Sequence, residues 1–143
     1  MILHPLIVVT GSRVCERRPV TTVLEDTVDE VLPYKRPIIV HGNNKHGADA
    51  HADVWGYRAI PRNLVARVER FDAYWDFFGN QAGAIRNAAM AERAWAHQEA
   101  GGLVIVLAFP LGESTGTRGM ITEARRVGIN DIRTYEQEIA RAD

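Results

Sequence analysis

The stretch LVIVLAFPLGESTGT, Leu103–Thr117, joins an unbroken apolar run to a turn rich in glycine and hydroxyl residues. The run Leu103–Phe109 is too short for a membrane span and too uniform for a strand with one wet face. It fits a strand buried on both sides of a sheet. Pro110–Gly116 then reads as a loop and Thr117–Val127 as a helix, which Gly128 stops. A buried strand that feeds a helix through such a turn is half of a βαβ unit, and sheets built from these units are parallel.

The same order recurs along the chain. Leu6–Thr10, LIVVT, is a second β-branched run, closed by Gly11-Ser12-Arg13. After Pro19, Thr22 and Glu25 have capping-box spacing, and Leu24, Val28, Val31 and Leu32 form a helical stripe that ends at Pro33. Pro37–Val40 is a strand followed by the polar turn His41–Gly47 and a helix over Ala48–Tyr57, packing through Ala48, Ala52 and Trp55. Asp49 and Asp53 lie one helical turn apart, a spacing at which two carboxylates can simply face water. Leu64–Val68 reads as a short strand, and Ile129–Thr134 contains a last one. Ala82–Gln98 is an amphipathic helix with Ala84, Ala88, Ala91 and Trp95 on the packing stripe and Arg86, Met90, Arg93 and His97 on another face. These elements predict a single α/β domain over residues 1–143, a Rossmann-like three-layer arrangement with a mostly parallel central sheet.

A formal charge of −1 over 143 residues gives no global attraction for polyanions, so nucleic acid is not an expected partner. Cys15 is the only cysteine, which excludes an internal disulfide and a Cys-rich zinc site. No run approaches the roughly 18 apolar residues of a membrane span, and the first residues lack a basic leader. A cytoplasmic chain with no membrane partner is expected. His41, His46, His51 and His97 lack metal-ligand spacing, and His51 with Asp49 or Asp53 lacks a third ligand; no metal or cofactor is expected. No base adjoins Cys15, and no Ser-His-acid order is evident.

The turn Gly112-Glu113-Ser114-Thr115-Gly116-Thr117 has the chemistry of an anion cradle. Its glycines let backbone approach a ligand, a helix amino terminus offers free N–H groups, and Ser114, Thr115 and Thr117 add hydroxyl donors. An ordinary connection between strand and helix would read similarly. Gly42, Lys45, Gly47 and Asp49 form a second candidate, with Lys45 toward phosphate and Asp49 as a helix cap or ribose acceptor. This turn lacks the GxxxxGK[ST] pattern of nucleoside triphosphate hydrolases. Gly11, Ser12 and Arg13 fall at the same sheet edge, with Arg13 able to fork onto phosphate or to brace an aspartate. Arg86 and Asn87 offer further donors, or Arg86 is a solvated helix position. In Phe71–Phe78, FDAYWDFF, Phe71 or Trp75 could stack on a base, although packing or a dimer edge accounts for them better.

The blocks TGSR (Thr10–Arg13), HGNNKHGAD (His41–Asp49), AGAIRNAAM (Ala82–Met90) and AFPLGESTGT (Ala108–Thr117) together resemble the YspA-related branch of the SLOG superfamily, the domain DUF2493 of phages and bacteria. The resemblance implies a Rossmann-like domain that binds or senses a phosphorylated, nucleotide-derived small molecule such as an ADP-ribose-like or phosphoribosyl nucleotide. It implies that Gly11, Ser12, Arg13, Gly42, Gly47, Asp49, Arg86, Asn87, Gly112, Gly116 and Thr117 surround that ligand. Gly42-Asn43 stands where the family carries a glycine pair. Relatives that hydrolyse nucleoside monophosphates carry a glutamate where this chain has Met120, which can be neither acid nor base. An enzymatic alternative, phosphoribohydrolase or nucleotide N-glycosidase, would therefore use Arg86 with Glu113 or Glu123. A homodimer, and a nucleic-acid-associated or purely structural role, complete the alternatives.

Overall fold

Leu6–Val9 is fully shielded from solvent, and its side chains alternate between two separate cores. Ile7 and Val9 join Ile39, Ile105 and Leu107 on one face of the sheet, whereas Leu6 and Val8 join Ile38, Val104 and Val106 on the other. Each such side chain contributes about 1.5–3 kcal/mol by leaving water. In the computed structural model, which describes residues 2–138, the sheet that these residues build has helices on both sides.

Its elements are β1 (Leu6–Gly11), α1 (Arg17–Val31), β2 (Ile38–His41), α2 (Ala48–Ala59), β3 (Arg67–Arg70), α3 (Trp75–Phe78), α4 (Ala82–Glu99), β4 (Val104–Phe109), α5 (Thr115–Val127) and β5 (Ile132–Thr134). The strand order is β3-β2-β1-β4-β5, and every neighbouring pair is parallel. Helices α1 and α2 cover one face, α4 and α5 the other, giving a Rossmann-like three-layer α/β fold. The chain winds outward from β1 to β3, then returns through α4 to place β4 on the far side of β1. That reversal opens a crevice at the carboxyl ends of β1 and β4, where ligands bind in open parallel sheets.

Several boundaries differ from the sequence expectations. Helix α1 starts at Arg17, so Thr22 and Glu25 lie inside it and form no capping box; its cap position is Glu16, without a side-chain bond. Pro19 is tolerated because first-turn N–H groups have no intrahelical acceptor. Strand β3 occupies Arg67–Arg70 rather than Leu64–Val68, at a sheet edge where an apolar run is not required. Helix α4 buries Asn87, Met90, Ala91, Ala94 and His97, while Ala84 and Trp95 are exposed. Alanines occur on several sides of this helix and cannot fix its rotation; Met90 beneath the sheet does. His97 donates to the His4 carbonyl at 2.6 Å, a structural role. Around α3, Tyr74, Trp75, Phe77 and Phe78 are exposed, with Phe77 at 82%. No described helix is long and apolar enough to cross a membrane.

Candidate functional site

The turns after β1 and β2 interlock. A Cβ on Gly11 would collide with that of Ala48 and stand 2.9 Å from that of Phe109, so only glycine lets β1 end against both α2 and β4. Gly47 has φ +74°, and a side chain there would strike the Ser12 carbonyl. The Ala48 N–H donates to that carbonyl at 3.2 Å, and the Ser12 N–H donates to Phe109 O at 3.0 Å. Gly47, not Asp49, occupies the cap position of α2.

Asp49 is turned inward instead of facing water, with only 4% of its surface exposed. It accepts the Asn44 N–H at 3.2 Å. Burial pushes its carboxyl above the usual value, against the opposing pull of His41, the Asn44 amide and Arg86. Asp53 is likewise held: Arg70 donates to it twice, at 2.8 and 3.0 Å, and His41 Nε2 donates at 2.8 Å. His41 Nδ1 accepts the Asn43 N–H at 3.0 Å, so both nitrogens of this fully buried ring are engaged.

Arg86 is half-buried on α4, not solvated, and ties the turns together. Its Nη1 donates to Gly42 O at 3.0 Å and its Nε to Asn87 Oδ1 at 3.3 Å, while Asn87 Nδ2 donates to Gly116 O at 3.1 Å. One chain of bonds thus runs from the β2 turn through α4 to the amino terminus of α5. Burial lowers the Arg86 pKa, Asp49 counters this, and Arg13 adds a repulsive contribution. Arg13 makes no ion pair with a described residue; it lies over Trp75, its guanidinium carbon 5.9 Å from the ring centroid.

Helix α5 begins at Thr115, so Gly116 and Thr117 are first-turn residues rather than loop and helix start. Its cap residue, Ser114, has φ +42° and bonds no backbone amide; its hydroxyl donates to Thr117 Oγ1 at 2.9 Å. The N–H groups of Thr115, Gly116 and Thr117 therefore have no intrahelical acceptor and no side-chain cap. These three residues border a cavity of about 780 Å³ together with Arg13, Asp49 and Arg86.

Comparison with known proteins adds a relative. The Gene 61 protein of Mycobacterium phage D29 is 39% identical over 127 residues, covering 86% of this chain and 90% of the phage protein. This chain belongs to the Gene 61 protein family. No family model and no solved structure matches it.

In this Gene 61 family member, Gly11, Ser12, Gly42, Asn87, Ser114, Thr115, Gly116 and Thr117 also border the cavity. Lys45, Gly47, Gly112 and Glu113 do not. Gly47 acts by packing against the first turn, and Glu113 is an exposed residue whose carbonyl accepts from Arg118 at 3.0 Å. Glu123 reaches the cavity, with its carboxylate paired to Arg126 at 2.8 Å. Met120 is buried in the core. Thr10, Trp75, Met90 and Thr122 are cavity residues that the sequence reading did not assign to a site. Trp75 had a visible signal in the aromatic run; the others became evident only once strand ends and helix rotation were known. Cys15 is buried, its thiol pushed up to about 11 by burial and by Glu16. No described group of side chains could hold a metal ion.

Proposed function

We propose that this chain binds a phosphorylated, nucleotide-derived small molecule in the crevice between the ends of β1 and β4. The observation that carries this reading is the uncapped first turn of α5, whose residues line a cavity together with Arg13 and Arg86. Such amides and the helix dipole favour an anion, and arginine adds charge-assisted bonds. Asp49 and Asn87 also line the cavity, which supports their contact with sugar hydroxyls. The resemblance to YspA-related SLOG domains supports an ADP-ribose-like or phosphoribosyl ligand. The reading is one of binding rather than hydrolysis, because Glu123 is ion-paired, Glu113 lies outside the cavity and Met120 is apolar.

Calorimetry with a panel of nucleoside mono- and diphosphates and ADP-ribose tests the proposal. At least one should bind, and Arg13→Ala should weaken it about tenfold or more, the value of a charge-assisted hydrogen bond. Thr117→Ala should weaken it less, since backbone amides remain. Absence of binding across the panel to folded protein would overturn the reading.

A further inference from the structure

Helix α3 and the residue before it carry four aromatic side chains, and none of them is buried. Trp75 borders the cavity; Tyr74, Phe77 and Phe78 do not. Phe77 is the most exposed large apolar side chain among the described residues, and its ring stands edge-on to Phe78 with centroids 4.7 Å apart. Phe78 in turn lines a separate depression of about 270 Å³, together with Phe71, Tyr74, Ala82, Ile85 and Ala89. A cavity of about 150 Å³ already admits benzene, so this one has room for a phenyl ring. Phe77 does not border it. A protruding ring and an apolar hollow that it does not fill thus lie side by side. Charge follows the same arrangement. Asp76, next to Phe77, pairs with no described cation, whereas Arg70 and Arg86 border the hollow. Arg70 bonds Asp53 through Nε and Nη2, and its Nη1 donates to no described residue. Asp72, the carboxylate at the hollow, already accepts from Asn43.

The geometry points to a two-fold pairing of this chain with a second copy, in which each Phe77 enters the hollow of the other and brings Asp76 toward Arg70 across the interface. An isologous interface needs one patch that carries both halves of a contact, and this patch carries both. Ala82 and Ala89 let the incoming ring approach the backbone of α4. Tyr74, Phe77, Phe78 and Ile85 together expose roughly 400 Å² of apolar surface. Two copies with their flanking residues bury about 1,000 Å², the lower limit for a specific interface, so the dimer forms by mass action and is not permanent. Aromatic anchors at the centre with charges at the rim have the anatomy of such an interface.

Sedimentation velocity over a concentration series tests the pairing on wild type, Phe77→Ser, Ile85→Glu and Tyr34→Ser. Wild type should pass from monomer to dimer and go no further. Phe77→Ser and Ile85→Glu should each weaken the dimer about tenfold or more, as loss of an anchor or of its socket does. Tyr34→Ser removes an exposed ring beyond the end of α1 and should change the dimer by less than about twofold. Phe77 faces solvent in the monomer, so its substitution leaves the fold intact, which a thermal melt checks; it decides the matter if Ile85→Glu does not fold. A wild type that stays monomeric overturns the pairing and leaves the patch to a different protein. A dimer unmoved by Phe77→Ser, or weakened equally by Tyr34→Ser, lies elsewhere and also overturns it. A ladder of larger species overturns the two-fold arrangement. Nucleotide binding stands in every case, because Phe77 and Ile85 do not border the cavity.

Discussion

Gly42 leaves no space for a side chain: a Cβ there would stand 2.9 Å from Arg86 Nε and 3.0 Å from Arg86 Cζ. Arg86 is a long side chain and can move aside, so Gly42→Ala should cost less than about 1 kcal/mol of stability. The displaced guanidinium should nevertheless weaken nucleotide binding about tenfold. Calorimetry and a denaturant titration on one preparation separate these effects, and unchanged affinity would show that Arg86 does not engage the ligand. At Asp49 the sign of the pH effect is set by burial. Its raised pKa means that the folded chain holds this proton more tightly than the unfolded chain, whose value lies near 3.8. The stability linked to that proton is fully present below the unfolded value and is lost as pH rises through the folded one. Asp49→Asn should therefore melt higher than wild type at pH 7, with the gap closing as pH falls toward the unfolded value. The same variant should bind nucleotide less well if the carboxylate accepts sugar hydroxyls. A variant that melts lower at pH 7 would show that the combined pull of His41, the Asn44 amide and Arg86 outweighs desolvation.

The turn before α5 is held from outside by the chain that follows β5. Arg118 donates to Gly112 O at 2.8 Å and to Glu113 O at 3.0 Å, and it forks onto Glu136 at 2.9 and 3.0 Å. The Gln137 N–H donates to Pro110 O at 2.8 Å, and Tyr135 stacks on Phe109 with centroids 5.4 Å apart. Arg118 faces solvent, so Arg118→Ala should lower the melting temperature by less than about 4 °C. Hydrogen exchange at residues 112–114 should speed up, and nucleotide affinity should fall about threefold to tenfold. Unchanged exchange would show that the turn is rigid without this brace. None of these contacts is readable from spacing, because Arg118 and Glu136 belong to different elements and meet only after β5 has docked. The strands were readable: β-branched runs such as LIVVT and LVIVLAF have few alternatives to a doubly covered sheet. Helix starts were less so. Thr22 and Glu25 carry cap chemistry but lie within α1, whose true start at Arg17 has no side-chain cap. In α4 the apolar pattern was ambiguous because small residues fit either a buried or an exposed face. The cavity was readable as a set of turns, since glycine, serine and arginine after strands converge in any parallel sheet; the Trp75 side of it was not, because it depends on where a four-residue helix rests.

On the scale of the whole molecule, the cavity is made of pieces distant in sequence, so a ligand that fits it binds the folded chain and not the unfolded one. At a hundred times its dissociation constant, such a ligand stabilises by about 2.7 kcal/mol, which should raise the melting temperature of a chain this size by about 10 °C. Differential scanning fluorimetry against nucleotide concentration measures this directly; a midpoint that stays fixed for a nucleotide seen to bind would mean that the unfolded chain binds it equally. The strand order carries a consequence for synthesis. β1 pairs with β2, made soon after it, but Leu6 also pairs with Val104 in β4, made far later. A ribosome therefore exposes the β1-β2-β3 half first, with one flank of the central strand bare. The wall that carries the α5 amides does not yet exist at that stage. A ligand that needs those amides binds only after translation has passed α5, so it can protect the finished chain but cannot guide its early folding.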